Sequence, residues 1–317
     1  MKILNIGSLN LDYVYQVDRF VQPGETRHAR TRTVQPGGKG LNQSVALARS
    51  GADTWHGGTC GQDSALLLDT LYAAGVHTDW LTPVDAPSGH AIIQVDGAGQ
   101  NCILLYGGAN QCLTMGQVQA MLDRCGQDDI VLLQNETNLV AEIIHAAADR
   151  GLRVACNAAP VTDALQAAPL GKLTWLLVNE VEAAQLAGLS EAAPAAAMDV
   201  LHMRYPQTAI VMTLGEAGVW YRDAQLELRL PACKVRQIVD TTAAGDTFCG
   251  YFLQGAAQGL SVCDCLMRAQ AASAIAIGRT GAAGSIPAAQ EVEAFLKTQP
   301  EISGLTCLLY TTDAADD

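Results

Sequence analysis

Positive charge is scarce in this 317-residue chain: 19 Lys and Arg stand against 32 Asp and Glu, a net charge of −13. No basic stripe runs through it, so nucleic acid is not an expected partner. A protein this acidic repels polyphosphates at long range. It would have to hold one locally, with helix N-termini, a divalent metal and one or two Lys or Arg. Aromatics make up only 5% of a chain that is 49% apolar. Core bulk therefore comes from Ala, Leu, Val and Ile, as in a helix-and-sheet enzyme and not a disordered chain. No apolar run approaches the roughly 20 residues of a membrane span. The opening Met1-Lys-Ile-Leu-Asn-Ile-Gly7 is too short for a signal-peptide core. A soluble, cytoplasmic protein is expected. The ten cysteines include no C-x-x-C pair, so reduced thiols are expected and zinc is not. None of the six His sits beside a Ser or Cys in a triad-like pattern, which argues against a hydrolase.

What is present is organised in two styles. Residues 12–34 alternate loosely around Pro23-Gly24 and read as two short strands about a turn. Residues 91–95 and 102–106 flank Asp96-Gly-Ala-Gly-Gln-Asn101 and read as a hairpin. The rest is regular. Strands are expected at 3–7, 130–133, 153–156, 175–178 and 209–213, with a further hairpin at 218–221 and 226–230. Helices are expected at 42–51, 63–74, 115–125, 138–150, 180–187, 194–204 and 262–278. Strands alternating with helices imply an α/β fold with a mostly parallel, three-layer sheet. Ligands in such folds sit beyond the carboxyl ends of the strands. Asn10, Glu136, Asn157, Asn179 and Gly215 all follow expected strands and would gather along that edge.

Asp240-Thr-Thr-Ala-Ala-Gly-Asp-Thr-Phe-Cys-Gly250 carries the strongest chemical signal. Small residues let a ligand approach the backbone, Gly245 can take a positive φ, and N–H groups at a helix start can hold an anion. Asp246 would sit beside that anion, the arrangement that phosphoryl transfer to a hydroxyl needs. A Thr-capped helix start is the plainer alternative. A second carboxylate at Asp240, the paired threonines and Gly250 one turn on favour the functional reading. Gly37-Gly38-Lys39-Gly40-x-Asn42 is not a Walker A loop; alone, it fits a turn or a polyol-binding loop equally. Asn10 and Asp12 fit an Asx turn or a pair of polyol ligands. Asn179-x-x-Glu182 fits a capping box, a water-mediated Mg²⁺ site, or both. Thr213-Leu-Gly215-Glu-Ala-Gly218 fits a hairpin entry or a turn under a nucleotide. The loop Gly281-Ala-Ala-Gly284-Ser285 could supply carbonyls or simply connect.

Taken together, these segments resemble the ribokinase family of carbohydrate kinases from about Ile6 to Pro287. The glycine motif Gly37-Gly38-Lys39-Gly40-x-Asn42-Gln43 and the Asp240–Phe248 motif, about 200 residues apart, carry the resemblance. It implies an αβα core (1–11, 35–87 and 107–310), a small β-sheet lid (12–34 and 88–106) and a flexible tail (311–317). It implies Asp246 as catalytic base on a sugar hydroxyl, with backbone amides of Ala243, Ala244, Gly245 and Asp246 as anion hole. Asn10, Asp12, Gly38, Lys39, Asn42 and Glu136 would hold the sugar. Asn179, Glu182, Thr213, Gly215, Gly218 and Gln270 would serve ATP, with Glu182 reaching Mg²⁺ through water. Asp240, Thr242, Ala276, Gly281 and Ser285 would surround K⁺. The lid would pair two subunits into a homodimer. The expected substrate is D-ribose or a related pentose or ketohexose; a nucleoside kinase and a non-catalytic sensor are the alternatives. Three departures stand out: Gln270 where the family often carries His, Asn157-Ala-Ala-Pro160 for Asn-Pro-Ala-Pro, and the polar Gln94 and Tyr106 in the lid.

Overall fold

A computed structural model describes residues 1–299. The expected tail, and residues 300–310 of the expected core, lie outside the described residues. In chain order the first half holds β1 (Lys2–Ile6), β2 (Asn10–Gln16), β3 (Thr31–Gly37), α1 (Lys39–Arg49), β4 (Asp53–Cys60), α2 (Ala65–Ala74), β5 (His77–Pro83), β6 (Gly89–Val95), β7 (Asn101–Tyr106), α3 (Met115–Leu122), β8 (Ile130–Gln134) and α4 (Val140–Ala148). Then come β9 (Arg153–Asn157), α5 (Asp163–Gln166), β10 (Trp175–Asn179), α6 (Glu180–Ala187), α7 (Pro194–Arg204), β11 (Ala209–Thr213), β12 (Val219–Arg222), β13 (Glu227–Leu230), α8 (Ala244–Ala257), α9 (Val262–Ala276) and α10 (Ala289–Leu296).

Nine strands form one sheet in the order β13-β12-β11-β10-β9-β8-β1-β4-β5. Every neighbouring pair is parallel except β11–β12 and β12–β13. The central strands are continuous apolar runs because both faces are covered. Their alternation sorts them between two layers. Leu4, Ile6, Val131, Leu133, Val154, Leu176, Val178, Ile210 and Met212 face one core with residues of α3, α4, α6 and α7. Ile3, Ile130, Leu132, Ala155, Leu177 and Val211 face the other, with α8, α9 and α10. The period of two thus places helices on both sides, which is the expected αβα sandwich.

The second sheet has four strands in the order β3-β2-β6-β7, with β2 and β6 parallel. Its strands are longer than expected, and 14 residues join β2 to β3 where the sequence suggested a turn at Pro23-Gly24. Asn10 and Asp12 accordingly lie in a strand and not in an Asx turn.

Two strands escaped the sequence reading. β4 carries His56, Gly57 and Gly58 in its middle, which breaks the apolar pattern. Gly57 is there because α3 packs close: a Cβ on it would lie 2.4 Å from Met121 Sδ, whereas one on Gly58 would lie 3.2 Å from Gly7 O. β5, at the sheet edge, reads His-Thr-Asp-Trp-Leu-Thr-Pro and buries only Thr78 and Trp80, so it lacks an apolar run. α1 also begins three residues early, at Lys39, so the glycine loop is the start of the helix itself.

His56 is fully buried, with Nδ1 2.7 Å from Ser44 Oγ and Nε2 3.2 Å from Gly7 O. Burial pulls its pKa down to about 4, although the Gly7 carbonyl favours the charged ring. The unfolded chain binds this proton near pH 6.5. His56 therefore contributes stability above that pH and loses it as pH falls toward 4, a change of roughly 2–3 kcal/mol. Chemical denaturation at pH 7.5 and pH 4.5 checks this. The wild type should weaken between the two by more than a His56→Gln variant does.

Candidate active site

The site lies along the carboxyl edge of the nine-stranded sheet. Its centre is set by how closely α1 and α8 approach. Gly250 has no Cβ; one placed there would sit 2.4 Å from Ala46 Cβ and 2.8 Å from Leu47 N. One turn nearer the N-terminus of each helix, the same two faces bring Asp246 against Asn42 and Gln43. Asn42 Nδ2 donates to Asp246 Oδ2 at 3.0 Å, and Gln43 Nε2 donates to Asp246 Oδ1 at 2.9 Å. Asp246 is buried, yet it lines a cavity of about 220 Å³.

The start of α8 corrects two expectations. Gly245 does not take the positive φ; Ala243 does, at φ 59°. A non-glycine residue in that region is strained, and such strain gathers at functional sites. Ala243 is also the N-cap and makes no side-chain cap, so the helix is not Thr-capped. Ala244 N reaches Thr241 O at 3.3 Å. The N–H groups of Gly245 and Asp246 meet no acceptor among the described residues. A Cβ on Gly245 would meet nothing within 4 Å. The helix thus presents unpaired N–H groups to open space in the cavity.

Lys39, Asn157, Asn179, Glu182, Thr213, Ala243, Ala244 and Gly245 line the same cavity. Burial works against the Lys39 ammonium, but Asp246, Glu136 and Glu182 outweigh it and raise its pKa. Glu182 is raised, first by burial, with the Asn179 N–H pulling the other way. It forms a reciprocal capping box with Asn179, at 2.8 and 2.9 Å. The structural reading of that motif therefore holds, and the cavity-lining position leaves the second reading open as well. Leu177, Val178, Val211, Thr241, Phe248 and Cys249 complete the lining.

The other expected ligands surround the glycine loop. Gly38 takes φ 91°, and a Cβ there would lie 3.0–3.2 Å from Asn10 N, Ser8 O and Ser8 Oγ. Glu136 Oε2 accepts from Ser8 Oγ at 2.5 Å and from Lys39 N at 3.1 Å. Asn10 Oδ1 accepts from Asn110 Nδ2 at 2.8 Å, and Asn110 Oδ1 accepts from Leu9 N at 2.9 Å. Asn42 Oδ1 is buried and has no partner. Burial and the nearby Glu136 charge lift Asp12 to about 7.

Asp240 lies at the far end of the motif. Its Oδ1 accepts from Thr242 N at 2.9 Å and Thr242 Oγ1 at 2.6 Å, and its Oδ2 from Gly281 N at 2.9 Å. These donors hold it ionised and below its usual pKa, against the opposing effect of burial. The loop from Ala276 to Ser285 is thereby drawn to the motif. Ser285 is buried with its hydroxyl on Ala282 O at 2.8 Å. Gly215, Gly218 and Gln270 do not line the cavity. Gly218 has a packing reason of its own: a Cβ would lie 2.0 Å from Leu230 O. Gln270 is buried with Nε2 unpartnered.

Ser8, Asn110 and the pair Gln43 and Gln134 were not assigned roles from the sequence. One signal was available for Gln43. Asn42, Gln43 and Ser44 are consecutive in a helix and point different ways, so a helix buried all round must pair all three with polar partners.

Comparison with known proteins gives a consistent result. Residues 1–289 match the pfkB family carbohydrate kinases. The ribokinase of Haemophilus influenzae is 34% identical over 301 residues, covering 92% of this chain and 97% of that protein. A crystal structure of ribokinase from Cryptococcus neoformans in complex with ADP superposes with a TM-score of 0.81 at 32% identity, covering 92% of this chain and 99% of that one. The structure of Arabidopsis thaliana ribokinase complexed with ribose and ATP superposes with a TM-score of 0.83 at 27% identity, covering 93% and 98%.

Asp12 and Glu136 repel one another in the free protein. Asp12 is ionised in the unfolded chain above about pH 3.8 but in the folded one only above about 7. Its charge therefore costs stability as pH rises through that window and costs nothing below it. Asp12→Asn should raise stability at pH 8 by roughly 1–2 kcal/mol, discounted for partial exposure. At pH 3.5 it should leave stability unchanged. Denaturant titration at the two pH values checks the difference.

Proposed function

The chain belongs to the pfkB family of carbohydrate kinases, and from that premise we propose that it moves the γ-phosphoryl group of ATP to a primary hydroxyl of D-ribose or a related pentose or ketohexose. One observation carries this reading. A buried carboxylate, Asp246, stands in the first turn of a helix where the N–H groups of Gly245 and Asp246 are unpaired among the described residues, and is held by Asn42 from the glycine-loop helix. The carboxylate takes the hydroxyl proton as the oxygen–phosphorus bond forms and the bond to the ADP leaving group breaks. The N–H groups of Gly245 and Asp246, with those of Ala243 and Ala244, face the charge that collects on the transferring group.

The sugar lies between the lid and the glycine loop. Asn10, Asp12 and Glu136 accept or donate to its hydroxyls, and the unpartnered Asn42 Oδ1 takes another. The peptide of Gly38 and Lys39 provides a surface without a side-chain obstacle. Lys39, between three carboxylates, compensates the phosphate charge that an acidic protein would otherwise repel. Asn179, Glu182 and Thr213 line the nucleotide side of the cavity; Gly215, Gly218 and Gln270, which lie outside its lining, would meet the nucleotide beyond it.

Two ions fit the donor sets. Glu182 is suited to Mg²⁺ through water, which would supply charge neutralisation on the phosphates. Asp240 with Thr242, and the loop carrying Ala276, Gly281 and Ser285, is an oxygen-rich corner suited to K⁺. Its role would be to stiffen the start of α8. The lid offers a homodimer surface: Ile103, Leu104, Leu105 and Tyr106 on the edge strand β7 are all more than half exposed, which is costly for a lone edge. The free thiols of Cys60, Cys156, Cys233 and Cys249 suit a reducing cytoplasm, whereas Cys263 is disulfide-bonded, against the expectation of reduced thiols throughout.

Asp246→Asn should lower kcat by at least about 10³-fold while sugar binding, read by calorimetry, stays within a few-fold. A coupled ADP-release assay over D-ribose, deoxyribose, fructose and nucleosides should give its highest kcat/KM with D-ribose; a nucleoside ranking first would overturn the substrate assignment. Replacing K⁺ with a large organic cation should lower kcat several-fold, and equal rates would remove the cation site.

A further inference from the structure

We propose that Gln43 is a positioning residue for the reaction: its amide, locked by a one-way chain of buried hydrogen bonds, fixes the plane of the Asp246 carboxylate. The proposal rests on Asp246 being the base.

Asp246 has two oxygens with different neighbours. Oδ2 accepts from Asn42, which belongs to the sugar side, and Oδ1 accepts from Gln43. An amide can turn over, and a turned Gln43 would set its oxygen against the carboxylate. The fold forbids this. Gln43 Oε1 already accepts from Gln134 Nε2 at 2.7 Å, and Gln43 Nε2 also donates to Asn157 Oδ1 at 3.0 Å. Asn157 is oriented in turn, because its Nδ2 donates to Leu177 O at 3.2 Å.

Gln134 is fixed as well. Its second Nε2 proton goes to Asn5 Oδ1 at 2.9 Å. Asn5 Nδ2 donates to Gly40 O and to Ser44 Oγ, both at 2.8 Å. Ser44 therefore gives its own proton to His56 Nδ1 at 2.7 Å, and His56 Nε2–H donates to Gly7 O at 3.2 Å. A backbone carbonyl can only accept, so both ends of the order are set. Asn5, Gln43, Ser44, His56 and Gln134 are all completely buried, and no water competes for these groups. Gln134 Oε1 is left unpartnered. Turning Gln134 to satisfy it would place oxygen against oxygen at both Asn5 and Gln43. Gln43 thus presents an N–H to Asp246 in every arrangement the network allows. A donor to a carboxylate favours its charged form, and this one also directs Oδ2 toward the hydroxyl.

Steady-state kinetics from pH 5 to 9 with the sugar that turns over, at saturating MgATP, test this. Gln43→Met keeps the volume and removes the donor. It should lower kcat about 10-fold or more, change the sugar KM less than about 3-fold, and move the acid limb of kcat up by about one pH unit. Gln134→Met, which removes one of the two contacts that orient the Gln43 amide and leaves Asn157, should show the same signature more weakly. The double variant should be no worse than Gln43→Met alone. An acid limb that stays in place, or losses that multiply, would overturn the proposal. If Gln43→Met does not fold, as read by its melting curve, the acid limb of Gln134→Met decides alone. Asp246→Asn separates the two layers. Retained turnover there removes the base itself, whereas lost turnover with an unmoved limb in the glutamine variants removes only the positioning role.

Discussion

The close crossing of α1 on α8 is the constraint on which the rest of the site depends. Asp246 and Gly250 share one face of α8, and Asn42 and Ala46 share one face of α1. Because Gly250 lacks a Cβ, the two backbones meet at a distance that no larger residue permits. That contact sets the separation one turn away, where side chains of Asn and Gln are just long enough to reach the carboxylate. The glycine motif and the α8 motif, about 200 residues apart in the chain, become one site because this packing lets Asn42 and Gln43 bond Asp246 directly.

Electrostatics then acts within that frame. The site gathers Glu136, Glu182 and Asp246 around Lys39, with Asp12 close to Glu136. Burial and the Glu136 charge raise Asp12, while the opposite charges of Asp246, Glu136 and Glu182 outweigh burial and raise Lys39. Helix N–H groups and an ammonium are the local means by which an acidic protein can hold a polyanion. The strained backbone at Ala243 belongs to the same pattern, since it turns the N–H groups of α8 into the cavity.

Much of the fold was legible because it depends on local periodicity. Runs such as Ile130–Leu133 and Ala209–Thr213 are buried on both faces and read as strands whatever surrounds them. The misses have a common cause. β4 hides its strand behind His56, Gly57 and Gly58, residues chosen by neighbours far along the chain: Met121 above and Ser44 alongside. The start of α1 at Lys39 and the positive φ at Ala243 in place of Gly245 likewise answer to tertiary contacts, so composition pointed to the neighbouring residue.

The candidate site divides the same way. The sequence by itself determined which residue types are available: a carboxylate behind small residues at a helix start, a glycine loop with Lys39 and Asn42, and polar residues following strands. Those are consequences of chain chemistry and of the βα alternation, which sends every such residue to one edge. Only the tertiary structure decided which of them meet. It joined Gln43 to Asp246, Ser8 to Glu136 and Asn110 to Asn10, and it gave Gly218 a packing role. Hydrogen bonds need partners within about 3 Å, and residues a hundred or more positions apart come that close only once the two helix layers and the sheet are packed.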